Sequence, residues 1–419
     1  MYFFLKYIFR MQYNSLVNNK IKYLIIPNKN KNIVSIKFLV ACGFYNEYSG
    51  INNYTHLLEH LLAYYFNKKE CSVNKIKKLL NKKIYTTNAY TNDEQMCIYI
   101  NCYQNDLSFF LNLLSRTIFN LCITKENLSM SKKNVIKELK QFEDYHLNNC
   151  LNTYIFKRNK VDFNEGIKDV SKCKIDDITK FYKNIFSKNM IIGVTCNSKN
   201  ITKNKKLILR NFNKKIEIQK NKYPINFNAT ILKKNTIFKH YKEINSIQVE
   251  IVLPIDIQIY TKQYWELKII LDYMFDFEKG PFYKKLRIEE KIIYSITYNL
   301  KKNYENTNKT LLIISSNIEE DNLNKFLKLF DKLFKNLKMN NEIFSKIKKK
   351  LLFKTNYIYI TEHDHYLKYY LNNYLNNIKI TYTKNLKNLK NAKNNKTLLK
   401  GLKKTKYYIF LFNKNYKKI

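Results

Sequence analysis

Residues 52–66, NNYTHLLEHLLAYYF, decide the fold because they read as one helix with two unlike faces. At about 100° per residue, His56, Glu59, His60 and Ala63 share one side of that helix. The opposite side carries Leu57, Leu58, Leu61 and Leu62. We therefore predict a helix with a buried leucine side and a polar side that bears two imidazoles.

The polar side has the residue types of a metal site. Two His one helical turn apart can direct their ring nitrogens at one ion, and Glu59 lies beside them, where it can hold a proton instead of the metal. The order His-x-x-Glu-His occurs in zinc peptidases. The alternative is an ordinary amphipathic helix with two solvent-facing imidazoles. Since the chain has only six His, their pairing beside a Glu favours the metal site.

Length and composition favour a two-domain globular protein. At 419 residues the chain is too long for one core. Its net charge of +43 raises the possibility of nucleic-acid binding. The lysines are spread along a chain rich in Asn, Ile and Tyr, as an AT-rich genome would encode, and no aromatic platform or recognition motif accompanies them. We therefore expect a solvated basic surface and no specific nucleic-acid partner.

The cysteines and the apolar segments bear on the compartment. None of the eight Cys forms a Cys-x-x-Cys pair, so we expect free thiols in an intracellular reducing compartment. They are Cys42, Cys71, Cys97, Cys102, Cys122, Cys150, Cys173 and Cys196. No apolar run approaches the length of a membrane span. A cytoplasmic location is the first expectation, and a mitochondrial one stays open because the first ten residues lack acidic groups.

The order of predicted elements repeats. In the first half, strands are predicted at 21–26, 33–42, 83–91, 94–102 and 189–196, and further helices at 73–81, 105–121, 125–144 and 175–186. In the second, strands are predicted at 245–253, 291–302, 309–317 and 406–412, and helices at 262–276, 280–289 and within 320–378. This order predicts two α+β domains of like topology, 1–200 and 226–419, joined by a polar linker at 201–225.

With this order of elements, the chain resembles the pitrilysin and insulin-degrading family of zinc peptidases, and most closely its mitochondrial processing-peptidase branch. Three motifs carry the resemblance: 50–60, which leads into the His-bearing helix, Asn88-Ala89-Tyr90-Thr91 with Glu94, and Val135-Ile136-Lys137-Glu138. The resemblance implies two α/β-sandwich halves that face each other as a clamshell. It also implies one Zn²⁺ per chain, held in the first half.

The family match names Glu138 as the third zinc ligand. Glu138 borders the apolar stripe of its predicted helix, where a metal would satisfy a carboxylate that is costly to bury alone. Glu143 borders the same stripe, so helical periodicity by itself leaves both open. One departure concerns Ser131, because family members often have a supporting Glu at that position, seven residues before the third ligand. Loss of such support weakens metal affinity or activity by about 10- to 100-fold.

The second half contains a segment that resembles the family's substrate-contacting Arg and Tyr. Here these are Arg287 and Tyr294, seven residues apart and preceded by Gly280-Pro281-Phe282. An Arg offers several fixed donors, and a Tyr hydroxyl can stabilise the oxyanion that forms when water attacks a peptide carbonyl. Without the resemblance, Arg287 would be interpreted as a surface residue and Tyr294 as a residue that packs within its strand.

Together the resemblance implies a zinc endopeptidase acting on extended, unfolded peptides or presequence-like segments. In this scheme His56, His60 and Glu138 hold the ion, Glu59 moves the proton, and the peptide lies beside Asn88, Ala89 and Tyr90. Arg287 and Tyr294 complete the site from the second half. The alternative is a catalytically weak or inactive structural subunit of the same fold. A homodimer, or a heterodimer with a homologous subunit, is compatible with either.

Overall fold

The protein is described from a computed structural model that covers residues 14–15, 21–28, 32–47, 50–92, 95–140, 155, 163–185, 190–212, 236–240, 246–276, 280–302, 310–361 and 382–413. The chain divides into two compact units. The first consists mainly of Met1–Phe142 and Val161–Ile225, and the second mainly of Asn226–Tyr357 and Ile380–Ile419. Each unit is an α+β structure built on one sheet, as predicted.

The first unit contains six strands and seven α-helices among its described residues. The strands are β1 (Asn14–Ser15), β2 (Ile21–Asn28), β3 (Ile33–Val40), β4 (Tyr85–Thr91), β5 (Met96–Tyr103) and β6 (Met190–Asn197). The helices are α1 (Tyr54–Ala63), α2 (Val73–Leu80), α3 (Leu107–Phe119), α4 (Lys125–Leu139), α5 (Phe163–Lys172), α6 (Ile175–Ile185) and α7 (Ile201–Phe212).

The second unit contains five strands and five α-helices of eight or more residues among those described. The strands are β7 (Thr236–His240), β8 (Ile247–Ile255), β9 (Ile293–Lys302), β10 (Thr310–Ile318) and β11 (Tyr408–Asn413). The helices are α8 (Lys262–Met274), α9 (Leu323–Lys335), α10 (Asn341–Thr361), α11 (Tyr382–Lys390) and α12 (Lys396–Lys404). A short helix at Pro281–Tyr283 continues as a π-helix over Lys284–Glu289.

The two sheets share one topology. The first has the order β1-β2-β6-β3-β5-β4 and the second β7-β11-β8-β10-β9. When β1 is set aside, the five remaining strands of the first sheet follow the same order as the five strands of the second. Strand β2 pairs with β6 in parallel, and β7 pairs with β11 in the same way. The other strand pairs of both sheets are antiparallel. The predicted repetition of halves is therefore confirmed, and β4 and β9 are equivalent edge strands.

Hydrophobic sequence runs become the central strands. Seven of the eight residues of β3 are buried, because helices and neighbouring strands cover this apolar segment on both faces. The β6 segment MIIGVTCN has the same pattern. In the second unit the buried side of β8 packs with α8 and α9 in one continuous core. The edge strands β4 and β9 are the outermost strands of these two sheets.

The segment predicted as a linker is partly helical. Residues 201–212 form α7, where Ile208 and Phe212 are fully buried and Phe212 packs on Phe38 of β3. The linker interpretation of 201–212 is therefore wrong, because a few buried apolar side chains suffice to dock a helix that also carries several Lys and Asn residues. Residues 213–225 lie outside the described part of the chain.

Two cysteines expected to be free form a disulfide. Cys71 and Cys122 are bonded at a Cα–Cα distance of 5.7 Å. A β-bridge between Asn67 and Leu121 lies beside them and holds the two segments in register. The expectation of free thiols is wrong for this pair, because partners 51 residues apart are recognised only after folding. The other described cysteines are buried and lie outside any disulfide, namely Cys42, Cys97, Cys102, Cys173 and Cys196, and Cys150 lies outside the described residues.

We expect loss of the Cys71–Cys122 bond to lower the free energy of unfolding by about 4 kcal/mol. Closing a loop of this length removes chain entropy from the unfolded state, and the chain-entropy relation gives roughly that value. Denaturant unfolding of the oxidised protein with and without reductant measures the difference. In the Cys71→Ser/Cys122→Ser variant, reductant should have no further effect. Equal midpoints for oxidised and reduced wild type would contradict the prediction.

Among the described residues, no helix combines the length and the apolar content needed to cross a bilayer.

Candidate metal centre

Helix α1 carries the His-x-x-Glu-His residues and is more deeply buried than its sequence indicates. Its leucine side is wholly inaccessible, as predicted, but His56 and Glu59 are also at least 92% buried. They face α4 and β4, which pack against this helix. The polar face of α1 is therefore the wall of a site and not a solvated surface.

Two imidazoles and one carboxylate converge between α1 and α4. Nε2 of His56 lies 3.1 Å from Oε2 of Glu138, and Nε2 of His60 lies 3.4 Å from Oε1 of the same side chain. The potential ligand atoms of these three residues all lie within 4.8 Å of one another. One carboxylate thus offers an oxygen to each ring nitrogen. Glu143, the alternative that periodicity left open, lies outside the described residues.

The protonation states of this group suit a metal site. Burial lowers the pKa of His60, and the neighbouring His56 lowers it further. The hydrogen bond from His56 is the main cause of a lowered pKa at Glu138. At neutral pH these shifts favour a neutral imidazole and an ionised carboxylate, the forms that bind a divalent cation. Nitrogen and oxygen donors of this kind, in a set of three, fit Zn²⁺ with a position left open.

Glu59 lies on the same helix as the two imidazoles and contacts the edge strand β4. Its Oε2 accepts a hydrogen bond of 2.9 Å from Oγ1 of Thr91, the last residue of β4. Burial raises the pKa of Glu59. A carboxyl group with a raised pKa beside a candidate metal centre is suited to accept and return a proton. The sequence indicated Thr91 only as the last residue of the Asn-Ala-Tyr-Thr motif. It did not predict the contact between Thr91 and Glu59.

Two buried polar atoms of this region lack a partner among the described residues. They are Nδ1 of His56 and Oγ of Ser131, and Ser131 is fully buried on α4. A metal-binding imidazole almost always donates its second N–H to a carboxylate or carbonyl. Ser131 therefore supplies no carboxylate at the position where the family resemblance led us to expect a supporting Glu.

The residues expected to bind substrate lie on the edge strand β4. Asn88 is exposed, and its Oδ1 accepts a hydrogen bond of 2.8 Å from the backbone N–H of Ala89. Tyr90 is partly buried, and its hydroxyl accepts a hydrogen bond from Gln95. Along β4 only β5 pairs with this strand among the described residues, which leaves its other edge open. Glu94 of the same motif lies outside the described residues.

Arg287 and Tyr294 lie side by side in the second unit. The guanidinium carbon of Arg287 is 4.9 Å from the ring centroid of Tyr294, within the range of a cation–π contact. Arg287 also donates to the carbonyl of Ile293, and Tyr294, on the edge strand β9, is 75% exposed. The strand-packing alternative does not hold for Tyr294. That the pair contacts substrate held by the first unit stays a prediction.

Solved structures with the same fold include proteases and proteins of other description. A protease from Helicobacter pylori matches with a TM-score of 0.76 and 14% identity over 96% of this chain and 99% of that one. A peptidase M16 inactive domain from Pseudomonas fluorescens matches with a TM-score of 0.76 and 10% identity over 96% and 98%. Complex III2 from Candida albicans, with Inz-5 bound, contributes a match with a TM-score of 0.69 and 11% identity over 96% and 95%.

Family comparisons cover most of the sequence. No curated protein matches it in sequence. Residues 23–163 match the model described as Insulinase (Peptidase family M16), and residues 172–351 match that of the Peptidase M16 inactive domain. The first match contains all three converging residues, and the second contains Arg287 and Tyr294. With the repeated fold, these matches show that the chain belongs to peptidase family M16, the insulinase family.

Proposed function

We propose that this protein is a zinc-dependent endopeptidase that hydrolyses extended, unfolded peptides. The observation that carries the proposal is the convergence of His56, His60 and Glu138 within 4.8 Å, with Glu59 buried on the helix that bears the two imidazoles. A structural helix pair has no need of three metal-binding groups around one point. Membership of a peptidase family supports the same conclusion.

One Zn²⁺ per chain would be held by Nε2 of His56, Nε2 of His60 and the carboxylate of Glu138. When bound, the ion supplies Lewis-acid chemistry, lowering the pKa of water and polarising a carbonyl. The protein contributes the rest. The two imidazoles are fixed by the leucine anchor of α1, and Glu138 is delivered by α4, whose first turn is capped by a reciprocal pair of hydrogen bonds between Thr124 and Asn127.

Glu59 is the proposed general base and acid. In its ionised form it accepts the proton of the attacking water and then passes that proton to the departing amine. Burial raises its pKa, which makes the carboxylate a better proton acceptor than an exposed one. The hydroxyl of Thr91 holds one of its oxygens in place, so Glu59 is also oriented by the strand proposed to bind the peptide.

The peptide is proposed to lie along the open edge of β4. A peptide in extended conformation can add as a further strand, with main-chain hydrogen bonds to β4 supplying much of its affinity. Asn88, Ala89 and Tyr90 are the proposed contacts. Because the side chain of Asn88 already accepts from the Ala89 N–H, recognition by Asn88 would use its amide donors. Folded proteins lack free extended segments of this kind, which favours unfolded substrates.

The test combines metal analysis with peptide cleavage. We expect purified protein to contain close to one zinc per chain and to cleave members of a random peptide library, with cleavage sites identified by mass spectrometry. Chelation should abolish cleavage, and added zinc should restore it. Absence of zinc binding would overturn the proposed metal site, and cleavage that survives full chelation would overturn the proposed mechanism.

The second candidate function is that of a catalytically weak or inactive subunit. Ser131, buried where relatives often have a carboxylate, is the observation that favours it. One bound zinc with no cleavage of any peptide, even with a homologous subunit added, would support this alternative. A more specific proposal is that the protein belongs to the processing-peptidase branch of the family. Faster cleavage of presequence-like peptides than of other library members would support it.

A further inference from the structure

The loop that leads into α1 is held by a carboxylate from outside the helix. Oε2 of Glu47 accepts a hydrogen bond of 2.7 Å from the backbone N–H of Asn53. Its Oε1 accepts another of 2.7 Å from the backbone N–H of Thr55. Both oxygens of one side chain are thus used at the start of one helix. Thr55 immediately precedes His56, so the clamp lies one residue from a proposed zinc ligand.

The helix needs this clamp because its own first residues do not supply one. Asn53, at the N-cap, is in the left-handed region with φ 64°, and its side chain makes no capping hydrogen bond. The first N–H groups of any helix lack partners within that helix and carry partial positive charge. A carboxylate is a strong acceptor for such groups. Glu47 therefore accepts hydrogen bonds from N–H groups at the start of α1, as an N-cap side chain usually does.

A second carboxylate holds the preceding residues of the same loop. Oδ2 of Asp169, on α5, accepts from the backbone N–H groups of Gly50 and Asn52 at 3.0 and 3.1 Å. It also accepts from the side-chain amide of Asn52 at 2.6 Å. Gly50 has φ 94°, which a residue with a side chain rarely adopts. Asp169 fixes where the loop runs, whereas Glu47 fixes the first turn of the helix itself.

We propose that Glu47 is a positioning residue, which orients the first turn of α1 so that the imidazole of His56 meets the carboxylate of Glu138. The proposal rests on the proposed function only in naming zinc as the ion. Its other content concerns the packing of the first turn of α1, which places His56 Nε2 3.1 Å from Glu138. The His56 ring also makes a T-shaped contact with Phe44, in the short helix just before Glu47. The same segment therefore contacts both the backbone before His56 and its ring.

The test compares Glu47→Gln with Asp169→Asn. The Gln side chain has nearly the shape of Glu but keeps only one acceptor oxygen, so one N–H of the first turn loses its partner. Asp169→Asn is the matched control, because it weakens the same loop farther from His56. Measurements are made at pH 8.5, because burial raises the pKa of Glu47 to about 7 and the carboxylate is ionised above it. Thermal unfolding of both metal-free variants verifies that they fold.

Two readouts separate positioning from general support. In metal-free protein carrying ¹³C at His Cε1, we expect Glu47→Gln to move the ring signal of His56 and leave that of His60 in place. The signals are assigned with a His56→Gln variant. In competition with a chelator, Glu47→Gln should lower zinc affinity about 10- to 100-fold, as loss of outer support around a metal typically does. Asp169→Asn should lower it by less than about 10-fold, the lower end of the range for lost outer support, since it leaves the first turn of α1 clamped.

The outcomes are separable from failure of the proposed function. An unchanged His56 signal in folded Glu47→Gln, or equal zinc affinities of this variant and wild type, would overturn the positioning role. An equal loss of affinity in Asp169→Asn would overturn it as well, by reducing Glu47 to general support of the loop. If wild type binds no zinc, the ring signals of the metal-free protein still decide the question.

Discussion

We expect the Glu59→Gln variant to bind zinc and peptide as wild type does and to hydrolyse peptides about 10²- to 10⁴-fold more slowly, the range found for general acid–base groups. The amide cannot take a proton from water at neutral pH. Its carbonyl can still accept the hydrogen bond from Thr91, so the local structure should be kept. Initial rates with a cleaved library peptide, measured beside zinc content, test this directly.

Glu126→Gln is the matched control for this variant. Glu126 is an exposed carboxylate in the first turn of α4, on the helix that carries Glu138. The same chemical change there should leave the rate unaltered. If Glu59→Gln retained wild-type turnover with its zinc in place, Glu59 would not be the proton carrier, and another group would have to be sought.

The second large effect is expected from Glu138→Gln. This carboxylate faces both imidazoles, so its removal takes away the one negative charge among the three proposed ligands. Loss of a ligand should exceed the 10- to 100-fold effect of losing outer support, so we expect zinc affinity to fall by more than about 100-fold. Zinc raises the unfolding temperature of a protein that binds it only when folded. That increase should be clear in wild type and absent in Glu138→Gln.

Glu126→Gln again serves as the control, since it lies on the same helix and should show the wild-type zinc effect. A Glu138→Gln protein that zinc stabilises as strongly as wild type would exclude Glu138 as a ligand. Because Glu143 is the alternative that the sequence left open, Glu143→Gln is the natural next variant in that case.

The local part of the site followed from the sequence. The spacing of His56, Glu59 and His60 predicted their common helix, and the leucine side predicted its burial. The helix is two residues shorter at its start and three at its end than 52–66, because Asn53 adopts a left-handed conformation and Tyr64 ends the regular turns. Periodicity could not choose between two glutamates on the border of one stripe. Only the packing of α4 on α1 brings Glu138 to the imidazoles.

Elements with few apolar residues were missed for one physical reason. Helices α7, α11 and α12 are rich in Lys, and each docks through a small number of buried side chains such as Ile208, Leu389 and Leu402. Helix α5 contains Gly166, which lowers helix propensity. The strand orders were also beyond sequence reasoning, because pairing of β2 with β6 joins segments that are far apart in the chain. Only the succession of strands and helices, repeated twice, was predictable.

The Cys71–Cys122 bond has a consequence for a protein proposed to be a peptidase. It closes a covalent ring that contains α2, β4, β5 and α3, and thus the whole edge strand offered to peptides. A self-inflicted cut anywhere inside that ring would leave both pieces tethered. The cleaved protein would remain one covalently linked molecule under oxidising conditions, and its two fragments would separate only after the disulfide is reduced.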